Sequence, residues 1–211
     1  MGIINKLKSI SKIQILAVVL ILIGLVAMVR YGIGTFNAYR EIQYARANNF
    51  GAGNVDPNIL RPWMSMRYIA VAYAVPQEYL FHELGIPMER RNSEVSLFDL
   101  NDQFHFGPTT QGDKRYPAIL DKVRDAIIKY RENPVPTGLR EGGVRPWMSI
   151  QYVANSTGIP AETIFAQIGV PADGNAYIPL EFLVDAIKYK GGLRGLTDAV
   201  QRVVDANGAS Q

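Results

Sequence analysis

"RPWMSMRYIA" begins at Arg61 and "RPWMSIQYVA" begins at Arg145, so one unusual phrase is written twice in the chain. Setting residues 60–87 against 144–171, an offset of 84, leaves 12 of 28 positions identical. They are Arg61, Pro62, Trp63, Met64, Ser65, Tyr68, Ala70, Pro76, Glu78, Phe81, Gly85 and Pro87 with their partners, which include Arg145, Pro146, Trp147, Met148, Ser149 and Tyr152. Most other apolar positions swap conservatively, Ile69 for Val153 and Leu84 for Ile168. Self-similarity at a fixed offset is the mark of a duplicated structural unit. The fold expected is therefore all-α, with two small duplicated helical domains.

The grammar of the unit can be read locally. Ser65 and Ser149 suit a helix N-cap, where the hydroxyl accepts from a first-turn N–H. Met64 before the cap and Ile69 after it fit the apolar staple that fixes chain entry. The first helix runs to about Tyr73 or Ala74, and Gly158 supplies the left-handed stop in the second copy. Pro76 and Pro160 open a second short helix, with Glu78 and Glu162 in its first turn. Gly85 and Gly169 end it, and Pro87 and Pro171 prevent continuation. On this reading Trp63 and Trp147 are core lids over the helix pair.

Further helix follows in each copy. Tyr116–Tyr130 places Ile119, Val123, Ile127 and Tyr130 on one face, and Leu180, Leu183, Val184 and Ile187, then Leu196, Val200 and Val203, do the same later. Residues 88–115 read as a long polar insertion in the first copy. Long irregular loops tend to be functional, and "FDLNDQFHF" makes Phe98, Phe104, His105 and Phe106 the candidate partner-binding residues. The expected domains are repeat 1 over 60–132, a Pro/Gly linker over 133–143, and repeat 2 over 144–207.

The N-terminal region has a different character. After a basic flank over 1–12, residues 13–29 carry Gln14 as their only strongly polar member. Extended to about residue 34, the run has the ~20 residues needed to span a bilayer. A single transmembrane helix over 13–34 is expected, followed by a juxtamembrane helix and linker over 35–59. The lysines at 6, 8 and 12 suggest a cytoplasmic N-terminus and a periplasmic body in an inner membrane.

Charge and composition exclude several functions. The net charge of +3 arises in the flank: without the four basic residues of 1–30, the remainder has 18 basic and 19 acidic residues. A large polyanion-binding surface is not expected from a neutral body. Cysteine is absent, which removes disulfides, thiolate metal sites and cysteine nucleophiles. The two histidines, His82 and His105, lie in different kinds of segment, and no metal-protease, phosphate-loop or nucleophile-elbow motif occurs. No enzyme, no cofactor and no metal site are expected.

"MSMRYIAVAYAVPQEYL" resembles the "MT-x-x-x-IA-x-x-x-x-V" phrase of helix-turn-helix families, over about 28 residues in each copy. Ala70, Ala74 and Leu80, with Ala154, Gly158 and Ile164, occupy that motif's interior positions. The arrangement also resembles tandem repeats behind a membrane span in uncharacterised bacterial membrane proteins. The resemblance implies helix packing rather than DNA reading, because the second helices, "PQEYLFHEL" and "PAETIFAQI", contain acid and no Lys or Arg. Nucleic acid is disfavoured as a partner. The expected function is a non-catalytic, single-pass accessory or assembly subunit that binds other proteins of a membrane complex, with respiratory or photosynthetic electron transfer as a setting. A membrane-tethered nucleic-acid binder and a ligand or peptide sensor are the alternatives.

Overall fold

A computed structural model describes residues 16–28, 44, 48, 55–108, 116–139 and 143–208. Every regular element among them is a helix, which makes the chain all-α. The chain divides into two compact units, 1–47 and 48–211.

In the first unit the described helix, α1, covers 16–28, with its leucines, isoleucines and valines exposed. Among the described residues no helix is long and apolar enough to cross a membrane. This corrects the expectation of a single-pass anchor, and the inner-membrane location and orientation drawn from it fall too. The basic flank and most of the juxtamembrane segment lie outside the described residues.

The second unit opens with a 3-10 turn at Pro57–Ile59, capped by Asp56. It is tied down by Tyr73, whose hydroxyl donates to Asp56 O, and by Arg131, which donates to Val55 O. Then come α2 (Met66–Tyr73), α3 (Gln77–Leu84), α4 (Arg90–Glu94), α5 (Leu97–Gln103) and α6 (Ile119–Glu132). After a linker follow α7 (Ile150–Thr157), α8 (Ala161–Ile168), α9 (Leu180–Ala186) and α10 (Gly192–Gly208).

Local chemistry explains the boundaries. The Ser65 hydroxyl accepts from Tyr68 N–H, and the Ser149 hydroxyl accepts from Tyr152 N–H. Pro76 and Pro160 sit at the N-cap of α3 and α8, one position earlier than the first helical turn expected of them. Gly85 and Gly169 end those helices in the left-handed conformation. The stops of α2 and α7 are also left-handed, at Ala74 with φ +50° and at Gly158 with φ +76°. A Cβ on Gly158 would stand 3.2 Å from Pro136 Cγ. Gly158→Ala is therefore expected to lose about 1–2 kcal/mol through left-handed strain, read as a lower urea midpoint at unchanged slope.

The helix past each pair docks in one way. Leu97 N–H donates to Met64 O and Phe98 N–H to Pro62 O, at 2.8 and 2.9 Å. Leu180 N–H donates to Met148 O and Glu181 N–H to Pro146 O, both at 2.9 Å. Thus α5 and α9 close on the two "RPWM" segments. A longer helix then packs over each set: α6 lies against α3 and α5, and α10 against α8 and α9. Ile119, Val123, Ile127 and Tyr130 line the buried face of α6, as do Leu196, Val200 and Val203 on α10.

These contacts correct the reading of 88–115 as an irregular insertion. Ser96 caps α5, accepting from Asp99 N–H and donating to the Asp99 carboxylate, while Leu97 and Leu100 are buried. Residues 90–103 are therefore largely helical. The longer connection of the first half lies between α5 and α6, over 104–118, against 187–191 between α9 and α10.

Candidate functional site

The two halves of the second unit meet through polar groups on α7. The buried Tyr152 hydroxyl accepts from Gln77 N–H at 3.2 Å, at the start of α3. The Asn155 amide donates to Ala74 O at 2.6 Å, and Asn155 O accepts from the Tyr130 hydroxyl at 3.3 Å. Gln151 donates to the Asn155 side-chain oxygen, which fixes the amide's orientation. The linker adds Gly138 N–H to Ser156 O. Asn155 thus satisfies a helix-end carbonyl of α2 that would otherwise have no partner within its helix.

Burial, and then the Glu78 charge, push the Tyr152 hydroxyl well above the ordinary tyrosine range. It stays protonated at any ordinary pH. Tyr152→Phe would strip the buried Gln77 N–H of its acceptor and is expected to cost about 1–3 kcal/mol in denaturant unfolding. Tyr130 is pushed up to about 12, first by burial and then by Tyr79, whose ring lies 4.9 Å away. A raised folded-state value means the folded chain holds this proton more tightly. The associated stability is present in full below pH 10 and is lost as the pH rises through about 12. A tyrosinate absorbance titration should therefore show late-titrating tyrosines that join the rest on unfolding.

Beside this junction lies a cleft of about 630 Å³, within the usual size of a ligand site. The first half contributes Arg67 from α2, Met88 and Arg90. Across from them stand Arg145, Trp147 and Met148 of the second "RPWM" segment. Arg67 Nη1 and Arg90 Nε both lie 3.3 Å from one oxygen of Glu94. The backbone N–H of Arg145 points at the Met148 sulfur, and its side chain is exposed.

The repeated residues occupy corresponding places. Met64 and Met148 are buried, and both serines cap their helices. The Trp63 ring lies 5.5 Å from Tyr68, and the Trp147 ring lies 5.3 Å from Tyr152. Both tryptophans are only half-buried, so they cover the rim of the core rather than fill it. Pro62 and Pro146 offer their carbonyls to α5 and α9, and Arg61 donates to Leu60 O. Only the second phrase reaches the cleft.

The proposed partner-binding residues are divided. Phe98 is 50% exposed on α5. Phe104 ends that helix, its N–H on Leu100 O, and the exposed His105 follows with φ +55°. Phe106 has the Lys122 ammonium 5.7 Å from its ring centre. Among the described residues no three His, Asp or Glu side chains gather as a metal-holding group. Asn155, Gln77 and the cleft arginines Arg67 and Arg90 were not singled out from the sequence. The exchange of Val71 for Asn155 between the first helices of the two copies was the available signal. Compared with known protein families, curated proteins and solved structures, the chain matches none.

Proposed function

We propose that 48–211 is a non-catalytic docking body made of two tandem copies of one helix-turn-helix-like unit, and that its partners are proteins. One observation carries this reading. Each half leaves a phenylalanine exposed on the helix that closes its "RPWM" segment, Phe98 at 50% on α5 and Phe182 at 57% on α9. A pair of exposed aromatic side chains on corresponding elements is suited to anchoring protein partners. The membrane-complex setting depended on the anchor and goes with it.

The helix-turn-helix scaffold itself speaks for packing. The second helices α3 and α8 carry no Lys or Arg, and Glu162 is exposed on α8, where acid repels phosphate. A ligand or peptide sensor is the second reading, and the cleft beside Trp147 favours it.

Photo-crosslinking amino acids at positions 98 and 182, introduced one at a time in expressing cells, test the docking reading. The same partner adduct is expected from both sites, with none from the exposed position 202 on α10. A chain that yields no adduct from 98 or 182 is not a docking body of this kind.

A further inference from the structure

The cleft between the halves has two chemical faces. Trp147 and Met88 offer apolar and polarisable surface, with the buried Met148 behind them, while Arg67, Arg90 and Arg145 bring three guanidinium groups. Among the described residues of its wall Glu78 and Glu94 are the carboxylates, so cations outnumber anions among them.

The arginines are unequally engaged. Arg67 and Arg90 share one Glu94 oxygen at 3.3 Å, longer than the 2.7–2.9 Å of a strong charge-assisted hydrogen bond. The Arg90 side chain is 91% exposed, where such a pair contributes little. An incoming carboxylate can compete for either guanidinium. Arg145 has no carboxylate in ion-pair distance among the described residues.

We infer that this cleft holds an acidic peptide segment of a partner protein, its carboxylates on Arg145 and Arg90 and an apolar side chain against Trp147. The charge excess and the apolar wall argue for this occupant together. A bare anion would use the guanidinium groups and leave Trp147 and Met88 wet. A purely apolar ligand would leave Arg145 without a counter-charge. Arginine is suited to the task, because its planar fork pairs with carboxylates in two parallel hydrogen bonds and stays charged. Trp147 is held in place by its edge-to-face contact with the buried Tyr152, so the apolar wall is rigid before anything binds.

This inference rests on the reading of 48–211 as a protein-docking body, but its test reads different residues from Phe98 and Phe182. The full chain is applied to an immobilised library of short random peptides sorted by net charge, alongside Arg145→Glu and Arg90→Glu. Both side chains are exposed, so the variants should melt with the parent. The bound peptides are expected to be acidic and to carry an aromatic or large aliphatic residue. Each charge reversal should weaken them at least about tenfold, as the loss of a charge-assisted contact does.

Binding without charge preference, or binding unchanged in both variants, overturns the inference. So does an absence of peptide binding, whether or not inorganic phosphate or free citrate raises the melting temperature; a rise would assign the cleft to a small anion. Crosslinks at 98 and 182 that persist when the library fails would leave the docking body standing and remove only the cleft from it.

Discussion

Phe81→Ala and Phe165→Ala are each expected to cost about 3–5 kcal/mol, the range for emptying a core aromatic site. The two side chains are 1% and 2% exposed, on α3 and α8 at matching positions of the repeat. Each helix lies beneath a longer one, α6 over α3 and α10 over α8, so the void cannot close by collapse of a free surface. The two losses should be similar, because both rings sit in the same frame of cap serine, left-handed stop and closing helix. Chemical denaturation of the single variants checks this. A loss below about 1 kcal/mol at either site would mean that its ring is not in a packed core.

The second large effect separates neighbours in the repeated phrase. Met64→Ala is expected to cost about 2–5 kcal/mol, whereas Trp63→Ala should cost about 1–3 kcal/mol despite the larger side chain. Met64 is fully buried, while Trp63 is half-buried and covers Tyr68 from the rim. The order of the two unfolding midpoints is the measurement. Trp63→Ala as the more damaging change would make the indole a core side chain after all.

That ordering also shows how far the sequence could be read. Cap serines, left-handed stops and helix-opening prolines are decided within a few residues, and each lies within one position of its expected place. The inward direction of the phrase is not local. Ser65 bridges Ser96 and Ser149 bridges Pro179, while Met64 N–H donates to Arg61 O and Met148 N–H to Arg145 O, so each tryptophan stands at the corner of a tight turn beside the closing helix. The turn corner leaves Trp63 at the edge, and Met64, the residue that closes the turn, packs inward.

The α5 helix was hidden by its polar surroundings. "SLFD" holds a cap serine and an acid three residues on, yet the run around it suggested a loop. The junction between the halves was further from reach. Its bonds join residues 75 and 81 apart in sequence, and no periodicity announces such pairs. The cleft depends on the same junction, so Arg67 and Arg145 could not have been brought together on paper. At the N-terminus the apolar run over 13–34 reads as a span by length and composition, yet among the described residues no helix is long and apolar enough to cross a membrane.

Native-state amide hydrogen exchange tests most directly whether 48–211 consists of two like units joined as one body. The amides of Leu97 and Leu180, which donate to Met64 O and Met148 O, report the closing helix of each half. The Gln77 amide, which donates to the Tyr152 hydroxyl, reports the junction. The account predicts strong protection of all three, with Leu97 and Leu180 opening at one common free energy that falls together in Tyr152→Phe. Rapid exchange at Leu97 beside a protected Leu180, or two halves that open independently while Gln77 exchanges freely, would contradict it.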